Sequence, residues 1–477
     1  MKNSAFLIYD APNGATTSFV VGNDVIPAPA FIPEVKNEED IRALLRFPAA
    51  LPERNPIIVP ANRWMQLISN PIMGLKAPLS ELKPINNFLE SHPIFAYDPP
   101  EMFRYSLGGE LVKYALKGDK IKRRQFNGYL NKGETNQALD MVDPFFQPFI
   151  KRQISKIRKQ IQKKCPNLGV MDKNKDEPSP HVERAWLDDK IDEAYPLYLY
   201  EIASQMLKMP SSILIPPVPP LTKTSESTYI SRVKSSNLAA SIVCERLSER
   251  NDPIRGMRSG GIYPYFHIYI DWGVSREKQN TSAILKMVED GLDRGVFAGI
   301  AITINGYVSA AAMSGLHEVE YLINEIVNIS QQSEVPKPVI LPRSGWFGLS
   351  LTDIEIQGFS ILMNGSYQYS SGGGAGNPED KYGKIPLIDS CLELKFNEIR
   401  DYIKQYGEFP SVPNLPRKPT KEDLDNPKLY RERVAKPMRL IHVEEARRIR
   451  KEKSKGIQSP AKRYLERSSH IYLGETK

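Results

Sequence analysis

Apolar residues fall in short runs divided by polar, turn-forming pieces, and the clearest succession occupies residues 263–366. YPYFHIYIDW (263–272) has the length and content of a strand, and 275–294 has apolar residues at helical spacing. A second run, GVFAGIAITING, ends near Gly306, and 318–332 carries Leu322, Ile323, Ile326 and Val327 on one face. PVILPRSG begins at Pro338, and GFSILMNGS follows after a short helical link. Strands alternating with helices at this spacing predict parallel βα units. Runs that are apolar throughout, rather than at every second position, predict strands covered on both faces.

The same pattern extends upstream. AFLIYD and TSFVVG, with the turn signals Pro12-Asn13-Gly14 and Gly22-Asn23, predict short antiparallel strands over 1–28. AFIPEV (30–35), IIVPAN (57–62) and HPIFAYD (92–98) read as buried strands, with a helix over 37–45. From 99 to about 190 the chain turns helical, basic and then polar, which predicts an insertion. Within it Asp143-Pro144 suits a helix start, and Phe146, Ile150, Ile154, Ile157 and Ile161 recur at helical spacing between Lys and Arg. That stripe suits packing against the body, and the basic face beside it suits phosphate. SSILIPPVPP (211–220) begins as a strand that its prolines end, and 237–248 is the next helix. After the glycine-rich 370–383, a closing helix is expected over 392–406, then a proline-rich linker from 408, a basic helix over 437–455 and a loose terminus.

The buried strands are therefore 30–35, 57–62, 92–98, 211–216, 264–271, 298–305, 338–343 and 358–364. Eight is the number a (β/α)8 TIM-type barrel needs. The expected architecture is α/β: antiparallel strands over 1–28, a barrel over 29–407 with a helical insertion, and a basic C-terminal extension over 408–477. An open doubly wound sheet is the alternative. In both, sites form at the carboxyl ends of the strands, where Asp271, Asn305, Arg343 and Asn364 stand.

Charge adds a partner to this picture. Residues 428–477 hold 15 Lys/Arg against 6 Asp/Glu, and 113–164 hold 14 against 4, in a chain whose net charge is +8. Two basic blocks on an otherwise acidic body point to a polyanion such as DNA or RNA; solvated helix faces and a floppy tail are the other reading. Cys165, Cys244 and Cys391 form neither a disulfide framework nor a zinc pattern. No apolar run is long enough to span a membrane. A cytoplasmic protein without metal or other cofactor is expected. His267, inside a strand, reads as a core residue.

Several short motifs recur in a set order. VIPAPAFIPEV stands at 25–35, and IIVPANRWMQLIS carries Asn62 after the second strand. LKPINNFLESHPIFAYD leads into the third strand. IYIDWGVSREKQNTSA sets Asp271 and Gly273 at the end of the fifth, and AITINGYVSAA sets Asn305-Gly306 at the end of the sixth. This order resembles the queuine and archaeosine tRNA-guanine transglycosylases over roughly 20–370. The resemblance implies a barrel that exchanges guanine for a 7-deazaguanine in nucleic acid. In such chemistry a carboxylate attacks the anomeric carbon, a second carboxylate manages protons, and the target base leaves its stack.

Asp98 and Asp271, the latter at the place of the family's glutamine, are the two carboxylates available at the mouth for that chemistry, helix capping or loop solvation being the other reading. The resemblance sets Asn62, Gly273, Asn305, Gly306 and Asn364 around the base, and Arg343 joins them by its place at a strand end. The sequence departs from the family in four places. Asp98 fits the third-strand carboxylate only after a one-residue shift. Pro216-Pro217 stand where an aspartate reads the base. Asn364 stands at the nucleophile's place, and the Cys/His zinc site is absent. Two functions follow, a divergent transglycosylase or a barrel without chemistry that binds nucleic acid or a partner subunit, with an unrelated small-molecule barrel enzyme as a third alternative.

Overall fold

The computed structural model describes residues 7–9, 16–22, 24–35, 38–45, 54–60, 87–89, 91–97, 112, 116, 119–142, 147, 150–151, 154, 199, 203, 212–218, 221, 227–249, 262–271, 274, 278–305, 316–362, 384–387, 392–409, 419–435, 440–453 and 455. Three short strands open the chain, β1 (Leu7–Ile8), β2 (Ser18–Val21) and β3 (Asp24–Pro27), paired antiparallel in that order. Eight parallel strands follow: β4 (Ala30–Glu34), β5 (Ile57–Pro60), β6 (Ile94–Tyr97), β7 (Ser212–Ile215), β8 (Ile262–Asp271), β9 (Gly299–Asn305), β10 (Val339–Leu341) and β11 (Gly358–Leu362). Each pairs with its neighbour in sequence, and β11 returns to β4, so the sheet is closed. The barrel, rather than the open sheet, is the fold, and its strands are the eight apolar runs.

Two cores explain why these runs need no polar face. Inside the barrel, Ala30, Ile32, Ile58, Phe95, Tyr97, Ile213, Ile215, Tyr265, Ala301 and Ile340 form one cluster. Phe19, Val21 and Ile26 of the first sheet belong to the same cluster, so that sheet covers the amino-terminal mouth. The intervening residues, such as Phe31, Val59, Ala96, Leu214, Phe266 and Ile300, face outward into the shell of helices. Space inside is tight: a Cβ on Gly299 would lie 2.4 Å from the Tyr265 ring.

The shell comprises α1 (Glu38–Leu45), α2 (Lys120–Lys132), α3 (Thr135–Asp140), α4 (Ser227–Glu249), α5 (Lys278–Leu292), α6 (Leu316–Gln332) and α7 (Gly345–Ser350). The face Leu322, Ile323, Ile326 and Val327 of α6 is buried, as its spacing predicts. α4 begins ten residues before the expected start, because its first turns are rich in Ser, Tyr and Lys and show little apolar periodicity. Of the insertion stripe, Ile150 is buried and Ile154 packs partly against the core; Asp143, Pro144, Phe146, Ile157 and Ile161 lie outside the described residues.

Beyond the barrel, β12 (Lys384–Leu387) and β13 (Leu392–Lys395) form an antiparallel hairpin, and α8 (Phe396–Tyr406) follows. The expected helix over 392–406 is thus a strand in its first four residues. Leu-Glu-Leu-Lys alternates with period two, which favours the extended form. The basic C-terminal helix is α9 (Ile441–Lys453), and it lies against the barrel wall. Val443, Ala446 and Ile449 are buried, and the His442 ring sits 5.4 Å from Phe31 of β4. Arg450 donates to the Pro29 carbonyl at 2.6 Å, and Lys453 donates to Thr352 O at 2.6 Å and pairs with Glu355 at 2.7 Å.

Candidate functional site

The mouth opposite the first sheet is formed by the carboxyl ends of the strands, the face where barrel enzymes hold their sites. β8 and β9 run in register from Tyr265 beside Gly299 to Asp271 beside Asn305. Asp271 and Asn305 are therefore adjacent backbone positions at the ends of neighbouring strands. Arg343 follows the end of β10. Asn62, Asp98, Gly273, Gly306 and Asn364 lie outside the described residues.

Beneath this rim lies a layer of buried polar groups that the sequence reading did not assemble. Arg343 donates from Nε to Glu34 Oε2 at 2.8 Å and from Nη2 to Oε1 at 2.7 Å, a two-pronged pair. Glu34 is 0% and Arg343 2% exposed, so the guanidinium named as a substrate contact is turned to Glu34 inside the protein. Arg343 also sits at φ 53°, the left-handed region a side chain seldom adopts. Its N–H donates to Ser360 Oγ at 2.8 Å, and its guanidinium lies 5.8 Å from the Tyr97 ring centre.

Tyr97 extends the layer across the barrel. Its hydroxyl is 3.0 Å from Thr303 Oγ1, which is 2.9 Å from His267 Nε2. His267 Nδ1 is 2.6 Å from the Pro216 carbonyl, which can only accept, so Nδ1 carries the proton. Nε2 of the neutral ring then accepts from Thr303, and Thr303 accepts from Tyr97. Burial holds the His267 pKa down to about 4, against the hydrogen bond to Pro216, so the ring is neutral at ordinary pH. Its placement agrees with the reading of His267 as a core residue.

The prolines after β7 account for part of this arrangement. Pro216 and Pro217 have no N–H to continue the ladder beside β8. The backbone of His267 is satisfied instead by Asn237 of α4, whose Oδ1 accepts from His267 N at 2.7 Å and whose Nδ2 donates to His267 O at 2.9 Å. Leu221 N then donates to Tyr269 O at 2.9 Å.

This layer touches β4, β6, β8, β9 and β11 and the residues just past β7 and β10. Its charges are balanced, its histidine is neutral, and all its members are buried. Such a layer serves as a rigid floor beneath the rim. Among the described residues no group of three or more His, Cys, Asp or Glu stands close enough to hold a metal ion, and no helix is long and apolar enough to cross a membrane.

Glu34, Tyr97 and Thr303 were missed because each sits in a run read as plain strand. Glu34 did carry a signal: a carboxylate inside AFIPEV, if buried, requires a cation, and Arg343 was already in view. No protein-family model matches the sequence, and no curated protein matches it.

Proposed function

We propose that this chain is a transglycosylase-like barrel acting on nucleic acid, taking a base at the open carboxyl mouth and exchanging guanine for a 7-deazaguanine in DNA or RNA. The observation that carries this reading is the closed eight-stranded barrel, covered at one mouth and ending at the other with Asp271 beside Asn305. A base removed from its stack needs a fixed polar surface to read its edge and a carboxylate for the sugar. In this proposal Asp271 is that carboxylate, Asp98 manages protons, and Asn62, Gly273, Asn305, Gly306 and Asn364 surround the base. The floor from Glu34 to His267 keeps the strand ends in fixed relation, so the rim is organised before the substrate arrives. Arg343 contributes there through Glu34, not by touching substrate.

A second reading, a barrel that binds nucleic acid or a partner subunit without chemistry, draws on Asn364 at the nucleophile's place and on the burial of Arg343. Base exchange separates the two. Purified protein is incubated with radiolabelled guanine, and separately with a 7-deazaguanine, on duplex DNA, single-stranded DNA and unmodified tRNA. Incorporation into one of these is the expected result. Binding without incorporation on every substrate would favour the second reading.

A further inference from the structure

We propose that the exposed start of α2, with Lys122, Arg123 and Arg124, is the surface that grips the phosphate backbone, and that the C-terminal helix α9 is not. This rests on the nucleic-acid reading above and locates the contact.

The two blocks look alike as sequence but not in the fold. Among the described residues of the C-terminal block, Arg433, Arg447, Arg448, Arg450 and Lys453 each have a partner within the chain. Arg433 pairs with Glu422 and Asp423, Arg447 with Glu444, Arg448 with Glu445 and Glu452, and Lys453 with Glu355. Arg450 bonds to the Pro29 carbonyl. Arg450 and Lys453 fasten α9 to the barrel, while Arg447 and Arg448 are paired with acidic residues of the same helix.

In α2 the reverse holds. Lys122, Arg123 and Arg124 are exposed, and none has an acidic partner among the described residues. The helix is anchored further along by Phe126 and Leu130, which are buried in the main core. All five residues from Ile121 to Gln125 are exposed, so the first turn stands clear of the body. The Asp119 carboxylate accepts from the N–H groups of Ile121 and Lys122, so an anion here would meet side chains rather than free backbone donors. The first turn holds no acidic residue, and cations at this end oppose the helix dipole. The charges therefore do not serve the helix that bears them. Three unpaired cations on one projecting turn complement closely spaced phosphates. Ile121, 69% exposed between Lys120 and Lys122, adds an apolar contact for a sugar or base face. The connection bearing α2 leaves β6 at its carboxyl end, the end of the proposed site.

The test is the full chain with Lys122→Gln, Arg123→Gln and Arg124→Gln together, beside a control with Arg433→Gln, Arg447→Gln and Arg448→Gln. Affinity for duplex DNA, single-stranded DNA and tRNA is measured across salt concentrations, with melting curves on each variant. The first variant should keep its melting temperature and lose roughly 10- to 100-fold in affinity near 0.1 M salt. Its log–log salt slope should become shallower by about 2–3. The control should keep nearly the wild-type slope. A wild-type slope in the first variant, or an equal loss in the control, overturns the assignment while leaving the nucleic-acid reading intact. Wild-type protein that binds no polynucleotide, or binds only anionic phospholipid vesicles, overturns both.

Discussion

At the scale of single residues, the pair Glu34–Arg343 sets the balance of stability in the barrel mouth. Both ions are removed from water, so breaking the pair costs more than the pair contributes. Glu34→Ala should destabilise by about 3–5 kcal/mol in urea unfolding. Replacing both with apolar residues of similar volume should cost less than that single change. A double variant weaker than Glu34→Ala would contradict a buried, desolvated pair. His267 gives a pH signature. Its pKa is about 4 folded and 6.5 as the ordinary value, so the unfolded chain binds more protons between these limits. The contribution is present above 6.5 and lost as the pH falls towards 4, on the order of 3 kcal/mol. Unfolding free energies of wild type and His267→Gln should therefore converge over that window. Parallel pH curves would contradict a neutral, buried His267. The sequence identified both His267 as core and Arg343 as mouth-end, but not their partners, because hydrogen bonds between distant strands leave no local pattern.

At the scale of elements, the strands were legible because apolar runs bounded by Gly, Pro and Asn suit covered parallel strands and little else. Pro216-Pro217 also marked the end of β7 correctly, since neither residue can donate to a ladder. Helix ends were less legible: the first turns of α4 carry little apolar periodicity, and the four residues of β13 are too short a run for their alternation to stand out beside the helix that follows. The C-terminal helix was legible as a helix, but what holds it was not: Val443, Ala446 and Ile449 are buried in the main core, and the His442 ring lies against Phe31 of β4 and Phe359 of β11. Removing residues 440–477 should accordingly lower the melting temperature sharply or prevent folding, rather than trim a solvated tail. An unchanged melting temperature would contradict the packing. Gly299 makes a finer test. Its missing Cβ admits the Tyr265 ring, so Gly299→Ala should destabilise by about 1–3 kcal/mol through overpacking. A neutral result in thermal unfolding would show that the interior relaxes more easily than this geometry implies.

At the scale of the whole molecule, fold and site were not equally readable. Eight barrel strands, preceded by short antiparallel strands, follow from repeated local signals. The site depends on a few residues past the strand ends, and of these the described structure brings together Asp271 and Asn305. The chemistry we propose for the open mouth is base exchange through a rim carboxylate. The most direct test is the exchange rate of Asp271→Asn against wild type, with polynucleotide affinity and melting temperature measured on the same samples. The substitution keeps the volume and removes the charge, so exchange should fall by roughly 100-fold or more while affinity and melting temperature stay near wild type. Exchange that survives Asp271→Asn at the wild-type rate would contradict the claim.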